Sequence, residues 1–289
     1  MPTMLARKMG EGRFIITAEL APPRGSDMTA FLRMAAFVAP HVDAINVTDN
    51  QGANMRMTPL VAAALLVGEG IEPILQVTCR DRNRLALQSD LLGAAAMGIH
   101  NLLALTGDDI GCGDHRQGRA VFDLDSVLLL RTIQALNGGQ DMNGKALDGN
   151  TTFFCGAAAA PEVEPFAATR PKLAKKSAAG ARFFQTQAVF EPQKLIAFCA
   201  SVQPLGVKVI AGVLVLKSAK MADYINRNIP GLKVPAAVVE RLAAASDPAA
   251  EGVRIATELA LRCRELCDGV HLMAMGRDEV VPGIVSALN

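Results

Sequence analysis

The sequence predicts a parallel (β/α)8 TIM barrel, and three observations carry that reading. Eight short apolar runs of strand type alternate with helix patterns along the 289 residues. That length suits a barrel, which typically needs roughly 250 residues. The marks of the competing doubly wound sheet are missing. No G-x-G-x-x-G follows the first run, Gly111-Cys-Gly113 after the fourth lacks the remaining spacing, and no Walker loop occurs. The barrel is expected to occupy residues 1–289 as a single domain with a surface excursion around 137–150, where Gly138-Gly139, Asn143-Gly144 and Asp148-Gly149 cluster.

The first strand is expected at residues 14–18, an apolar run with β-branched residues that ends at Glu19. Pro22 and Pro23 stop both strand pairing and helix just beyond. A helix over 28–38 follows, capped by Ser26 or Asp27. The second strand, 43–48, closes in Asp49-Asn50-Gln51-Gly52, and Thr58-Pro59 opens a helix through 60–67 with Pro at the favoured first position. The third strand, 73–78, leads through Cys79-Arg-Asp-Arg-Asn83 into a long helix ending near Met97. The fourth, 101–106, ends in Gly107-Asp108-Asp109, before a polar loop and a helix over 124–136. Strands at 152–156, 181–187, 207–214 and 268–274 complete the set. Their helices cover 170–179, the stretch opened by Pro192, 218–228, 236–245, 249–267 and 280–288.

Composition narrows the function. The chain is 51% hydrophobic and 20% charged with a net charge of +1, so no global field points to nucleic acid or an anionic membrane. The longest apolar stretches, such as 60–67, fall far short of a bilayer crossing. The N-terminal residues lack the apolar core of a signal peptide, so a cytoplasmic protein is expected. The six cysteines form no C-x-x-C pair and no nearby His completes a set with Cys263 and Cys267, so reduced thiols and no metal are expected. A homo-oligomer is left open.

In a barrel the strand ends and following loops form the active face. Collecting them gives Glu19, Thr48 with Asp49, Gln76 with Thr78, Asp108, Gln187, Gly212 with Lys217, and Arg277. A carboxylate at an apolar strand mouth is costly unless it is paired, hydrated or used. Glu19 is therefore either a working group or the partner of a surface base such as Arg24. The polar floor suits a flat, hydrogen-bonding heterocycle better than a highly phosphorylated sugar, which would want more Lys and Arg.

These residues fall in motifs that together resemble a family. Glu19 followed by Pro22-Pro23, Asn46-Val-Thr48, Val77-Thr-Cys79, Leu103-Ala-Leu-Thr-Gly-Asp108, Pro161-Glu-Val163, Ala179-Gly-Ala181 and Thr186-Gln187 are similar to motifs of the methylenetetrahydrofolate reductases. The set runs in order from Glu19 to Arg277. The resemblance implies a (β/α)8 barrel that reduces 5,10-methylenetetrahydrofolate to 5-methyltetrahydrofolate with NADH or NADPH, normally through bound FAD, and so a place in methionine biosynthesis. It implies that Glu19 is the general acid that opens the folate's five-membered ring. Asp108 matches the carboxylate that holds the pterin and Gln187 a second pterin contact. Arg277 falls near the substrate's glutamate tail. Thr48 falls near nicotinamide and flavin, within a cofactor-binding set that also takes in Asp49, Gln76, Thr106, Gly107, Asp108, Ala158, Ala160, Glu164, Lys172, Lys175 and Lys176.

The departures from the family pattern concern the flavin. Gln76 stands where the family usually has His, and Thr106 where it has Arg. Ala160 and Glu164 replace a Tyr and a His, Thr169 an Asp, and Lys172 an Asn, while Lys175 and Lys176 keep the charge of the diphosphate-binding pair. Weak FAD retention is expected, or hydride passing from the nicotinamide directly to the folate. Two alternatives stand beside this reading: a folate-binding or partner subunit without redox activity, and a Schiff-base lyase using Lys217.

Overall fold

The eight apolar runs pair side by side because each is buried on both faces, the condition under which a sheet can be all parallel. In the computed structural model, which describes residues 2–162, 168–229 and 231–288, they form β1 Ile15–Leu20, β2 Ala44–Val47, β3 Pro73–Thr78, β4 Asn101–Leu105, β5 Phe154–Ala159, β6 Phe183–Ala188, β7 Lys208–Leu214 and β8 Gly269–Met273. Each strand pairs with the next, and β8 pairs with β1 through Thr17 opposite His271, closing the barrel. The chain therefore has the predicted (β/α)8 fold. The outer layer follows the expected alternation: α2 Thr29–Val38, α3 Pro59–Gly68, α4 Arg84–Ala96, α5 Ser126–Asn137, α6 Arg170–Ala178, α7 Pro192–Val202, α8 Ala219–Asn228, α9 Ala236–Ala244, α10 Pro248–Leu266 and α11 Val281–Leu288.

One helix was not expected. Residues Met4–Gly10 form α1, whose N-cap Thr3 accepts a hydrogen bond from the Ala6 amide. Leu5 and Met9, one turn apart, close the barrel floor against Ile15, Ala44, Ile74, Leu103, Phe183 and Ile210. Leu5 is fully buried, so α1 is a plug rather than an arm. Inside, Gly156 on β5 leaves room for Phe183. A Cβ there would lie 2.2 Å from the phenyl ring.

Several boundaries differ from expectation. β1 continues past Ala18 to Leu20, because its ladder with β2 extends through Glu19 opposite Asn46 and Leu20 opposite Val47. Glu19 thus lies within the strand and points into the barrel. β5 starts at Phe154 rather than Thr152. The Asn137 side chain takes the Phe153 amide at 2.8 Å and donates to its carbonyl at 3.0 Å, holding these residues to the end of α5. The 137–150 excursion closes on itself through an antiparallel bridge between Gln140 and Ala146. The Met142 amide anchors it to Gln88 on α4 at 2.8 Å. Among the described residues, no helix is long and apolar enough to cross a membrane.

Candidate active site

The inward residues of a barrel strand recur every second position; along β1, β3 and β6 that face turns polar toward the C-terminal end, and β8 adds His271 at its centre. Glu19, Gln76, Thr78, Gln185, Gln187 and His271 line a cavity of about 500 Å³ at this mouth, within the usual size range of small-molecule sites. Leu103, Leu105, Ala158 and Met273 supply apolar wall.

Glu19 is 8% exposed. The Gln51 amide nitrogen donates to its carboxylate oxygens at 3.3 and 3.5 Å, and His271 Nε2 stands 3.6 Å from Oε2. Arg24 instead pairs with Asp114 at 2.6 Å, so the surface base does not neutralise Glu19. A second carboxyl, Asp278 in the turn after β8, is pushed up to about 6 by its burial and by the charges of Glu19 and Glu279.

Asp108 sits exposed at the rim, where the Gly52 amide donates to Oδ2 at 3.2 Å. Gly107 has φ +99°, and a Cβ there would meet Arg80 Cβ at 2.9 Å, so this tight turn requires glycine. Thr106 Oγ1 accepts the Ser126 amide at 3.3 Å and bonds the Ser126 hydroxyl, tying the end of β4 to the first turn of α5. Asp49 lies in the cavity wall, but its carboxylate accepts from the Thr78 amide and hydroxyl at 2.8 and 3.0 Å and pairs with Arg82. It anchors the loops around β2 and β3. Gln76 borders the cavity, as do Ala158, Ala160, Lys172 and Lys176.

Other predicted site residues stand elsewhere. Thr48 is buried outside the cavity lining, with no partner for its hydroxyl among the described residues. Lys175 is exposed and outside the lining. Arg277 donates to the Ala249 carbonyl at 3.1 Å and lies near Glu279, so the structure does not bring it into the cavity. Lys217 is exposed beyond β7, away from the cavity. Val163 and Glu164 lie outside the described residues.

The sequence reading missed His271, Arg80 and Gln185. The period-2 face of β8, Gly269, His271 and Met273, could have revealed His271. Arg80, 1% exposed and paired with Asp81 at 2.8 Å, sits in a loop with no such periodicity.

A family model described as methylenetetrahydrofolate reductase matches residues 4–289. The chain belongs to that family. Its similarity to individual relatives is distant. It is 27% identical over 212 residues to methylenetetrahydrofolate reductase 2 of Schizosaccharomyces pombe, covering 67% of this chain and 31% of that one. It is 25% identical over 243 residues to a probable methylenetetrahydrofolate reductase (NADPH) of Caenorhabditis elegans, covering 79% and 34%. The chain thus spans about a third of the length of the curated relatives it matches. Tryptophan synthase from M. tuberculosis superposes with a TM-score of 0.53 at 13% identity over 97% of this chain and 94% of that one. Oxaloacetate acetylhydrolase does so at 0.54 and 10% over 98% and 84%. These likenesses show the barrel fold alone.

Several residues that the resemblance assigns to FAD stand along α6 and at the end of β5. Lys176 is 8% exposed, and its ammonium donates inward to the Ala158 carbonyl at 2.6 Å. Burial, then the nearby Lys172 charge, lowers it to about 8. Ala158 and Ala160 present no polar side-chain atoms, and the Thr106 hydroxyl is engaged by α5. A diphosphate placed here would meet Lys172 at the rim and a Lys176 already committed to the backbone. These residues do not fit a tightly held FAD.

Proposed function

We propose that this chain reduces 5,10-methylenetetrahydrofolate to 5-methyltetrahydrofolate, taking hydride from a reduced nicotinamide. The observation that carries the reading is Glu19, a buried carboxyl with no Lys or Arg partner among the described residues, set in the mouth cavity of a barrel that belongs to this family. At the cavity wall the carboxyl of Glu19 is within reach of a bound substrate and is placed to act as its proton donor. Its proton goes to N10 of the substrate, the bond from N10 to the methylene carbon breaks, and an iminium forms between N5 and that carbon. Hydride from C4 of the nicotinamide then adds to the carbon, giving the N5-methyl group and the oxidised nicotinamide.

Asp108 at the rim accepts hydrogen bonds from the amino and ring N–H groups of the pterin, and Gln187 adds a second polar contact. Together they fix the ring's orientation. The misfit of the flavin wall supports direct transfer between the two substrates, with FAD bound weakly at most. A Schiff-base lyase is disfavoured, because a nucleophilic lysine is activated by desolvation or a neighbouring cation, whereas Lys217 is exposed outside the cavity.

The test is the absorption spectrum of freshly purified protein, followed by turnover with NADH or NADPH in the absence of added flavin. Turnover without stoichiometric flavin supports direct transfer. Flavin bands near one equivalent that survive gel filtration would overturn it.

A further inference from the structure

We propose that His271 is the positioning residue for Glu19, and that Thr17 fixes the imidazole tautomer this role needs. The proposal rests on reading Glu19 as the acid.

His271 is 1% exposed at the centre of β8, opposite Thr17 of β1 in the strand register. Its Nδ1 lies 2.9 Å from Thr17 Oγ1, and its Nε2 has no hydrogen-bond partner among the described residues. That unpartnered atom faces Glu19 Oε2 at 3.6 Å. Thr17 is itself fully buried, and Nδ1 is the acceptor the structure offers its hydroxyl. If the hydroxyl only accepted, its own O–H would be left buried and unpaired, which is costly. Donation from Thr17 to Nδ1 places the imidazole proton on Nε2, aimed at the carboxylate.

A small inward movement of Glu19 on giving up its proton would close 3.6 Å to a charge-assisted hydrogen bond. His271 would then stabilise the carboxylate left after proton transfer. The titratable groups set against Glu19 are His271 from β8 and Asp278 from the following turn, with Gln51 as a neutral donor. The negative Asp278 opposes a second negative charge at Glu19, so a donor on the other side has a distinct task.

The first readout is the imidazole itself. In ¹⁵N-histidine-labelled protein, with the His271 resonances assigned by their loss in His271→Gln, the neutral ring should carry its proton on Nε2. A proton on Nδ1 would overturn the proposal, because a lone pair would then face Glu19. The second readout is folate turnover against pH.

His271→Phe and Thr17→Val should each lower kcat, the former by about 10–100-fold, the scale of one charge-assisted bond. The folate KM should change little. The pH profile of turnover should change as well, because the donor to the spent carboxylate is gone. His271→Gln, which returns an N–H near Nε2, should recover much of the loss. Should His271→Phe fail to fold, Thr17→Val and the tautomer still decide the matter. Wild-type kcat and pH profile in His271→Phe, with Glu19→Gln inactive, would overturn the role of His271 alone. Wild-type turnover in Glu19→Gln would overturn the reading of Glu19, and this proposal with it.

Discussion

At the residue scale, the two carboxylates assigned to the folate sit in opposite environments. Glu19 is buried among apolar wall and amides, whereas Asp108 stands in solvent at the rim with one amide donor. The buried group faces the cavity where a substrate would react, and the exposed one stands where a ligand's N–H groups could reach it. Asp108→Asn should therefore weaken folate binding and slow turnover together, by roughly tenfold for a lost charge-assisted bond. Unchanged folate affinity in equilibrium titration would mean that Asp108 serves only its loop.

Asp278 gives a pH test of a different kind. Its folded carboxyl is raised from 3.8 to about 6, so the folded state binds more protons than the unfolded one between those values. Stability from this group is present below the unfolded value and is lost as pH rises through about 6. Asp278→Asn should melt higher than wild type at pH 7–8, with the gap closing toward pH 4. Thermal melts at both pH values check this, and an equal gap at each would show that ionisation of Asp278 is irrelevant to stability.

At the element scale, the strands were legible because each is a short, mostly buried run punctuated by Gly, Pro or Asn. Their ends were less so. The sequence shows that Glu19 is an acid after an apolar run, but not that the β1–β2 ladder continues beyond it. The alternation that puts Glu19 inside also puts Thr17 and His271 inside, and reading β8 with period 2 would have revealed the histidine. No local pattern could have shown that Arg277 turns to the Ala249 carbonyl, since that depends on how α10 packs.

The N-terminal plug was missed because seven residues with only two buried positions carry little periodic signal. Leu5→Ala should cost about 2–5 kcal/mol, as for other buried Leu truncations. Denaturant unfolding measures it, and an unchanged midpoint would mean that α1 frays from the floor. Gly107→Ala should disturb the mouth rather than the core. Its positive φ and the 2.9 Å approach to Arg80 would force the turn carrying Asp108 to move. Reduced folate affinity with a near-normal melt is the expected pattern.

At the scale of the whole molecule, the fold and the mouth cavity were readable from sequence because a barrel fixes where strand ends must lie. The flavin wall was readable only as substitutions. Its physical content came from the inward turn of Lys176 onto Ala158 and the outward face of Lys175. Losing two charge-assisted bonds of about 1.5–3 kcal/mol each would weaken FAD by roughly two to four orders of magnitude. The protein should purify with little FAD, and calorimetric titration should find weak binding or none.

Hydride transfer to the folate's methylene carbon, with Glu19 supplying the proton, is tested most directly by following 5,10-methylenetetrahydrofolate, ¹³C-labelled at the methylene carbon, by NMR with NADH or NADPH. An N5-methyl resonance is expected with the wild-type protein, and a rate about 10²–10⁴-fold lower with Glu19→Gln. No methyl product with either nucleotide, with or without added FAD, or equal rates for the two proteins, would contradict it.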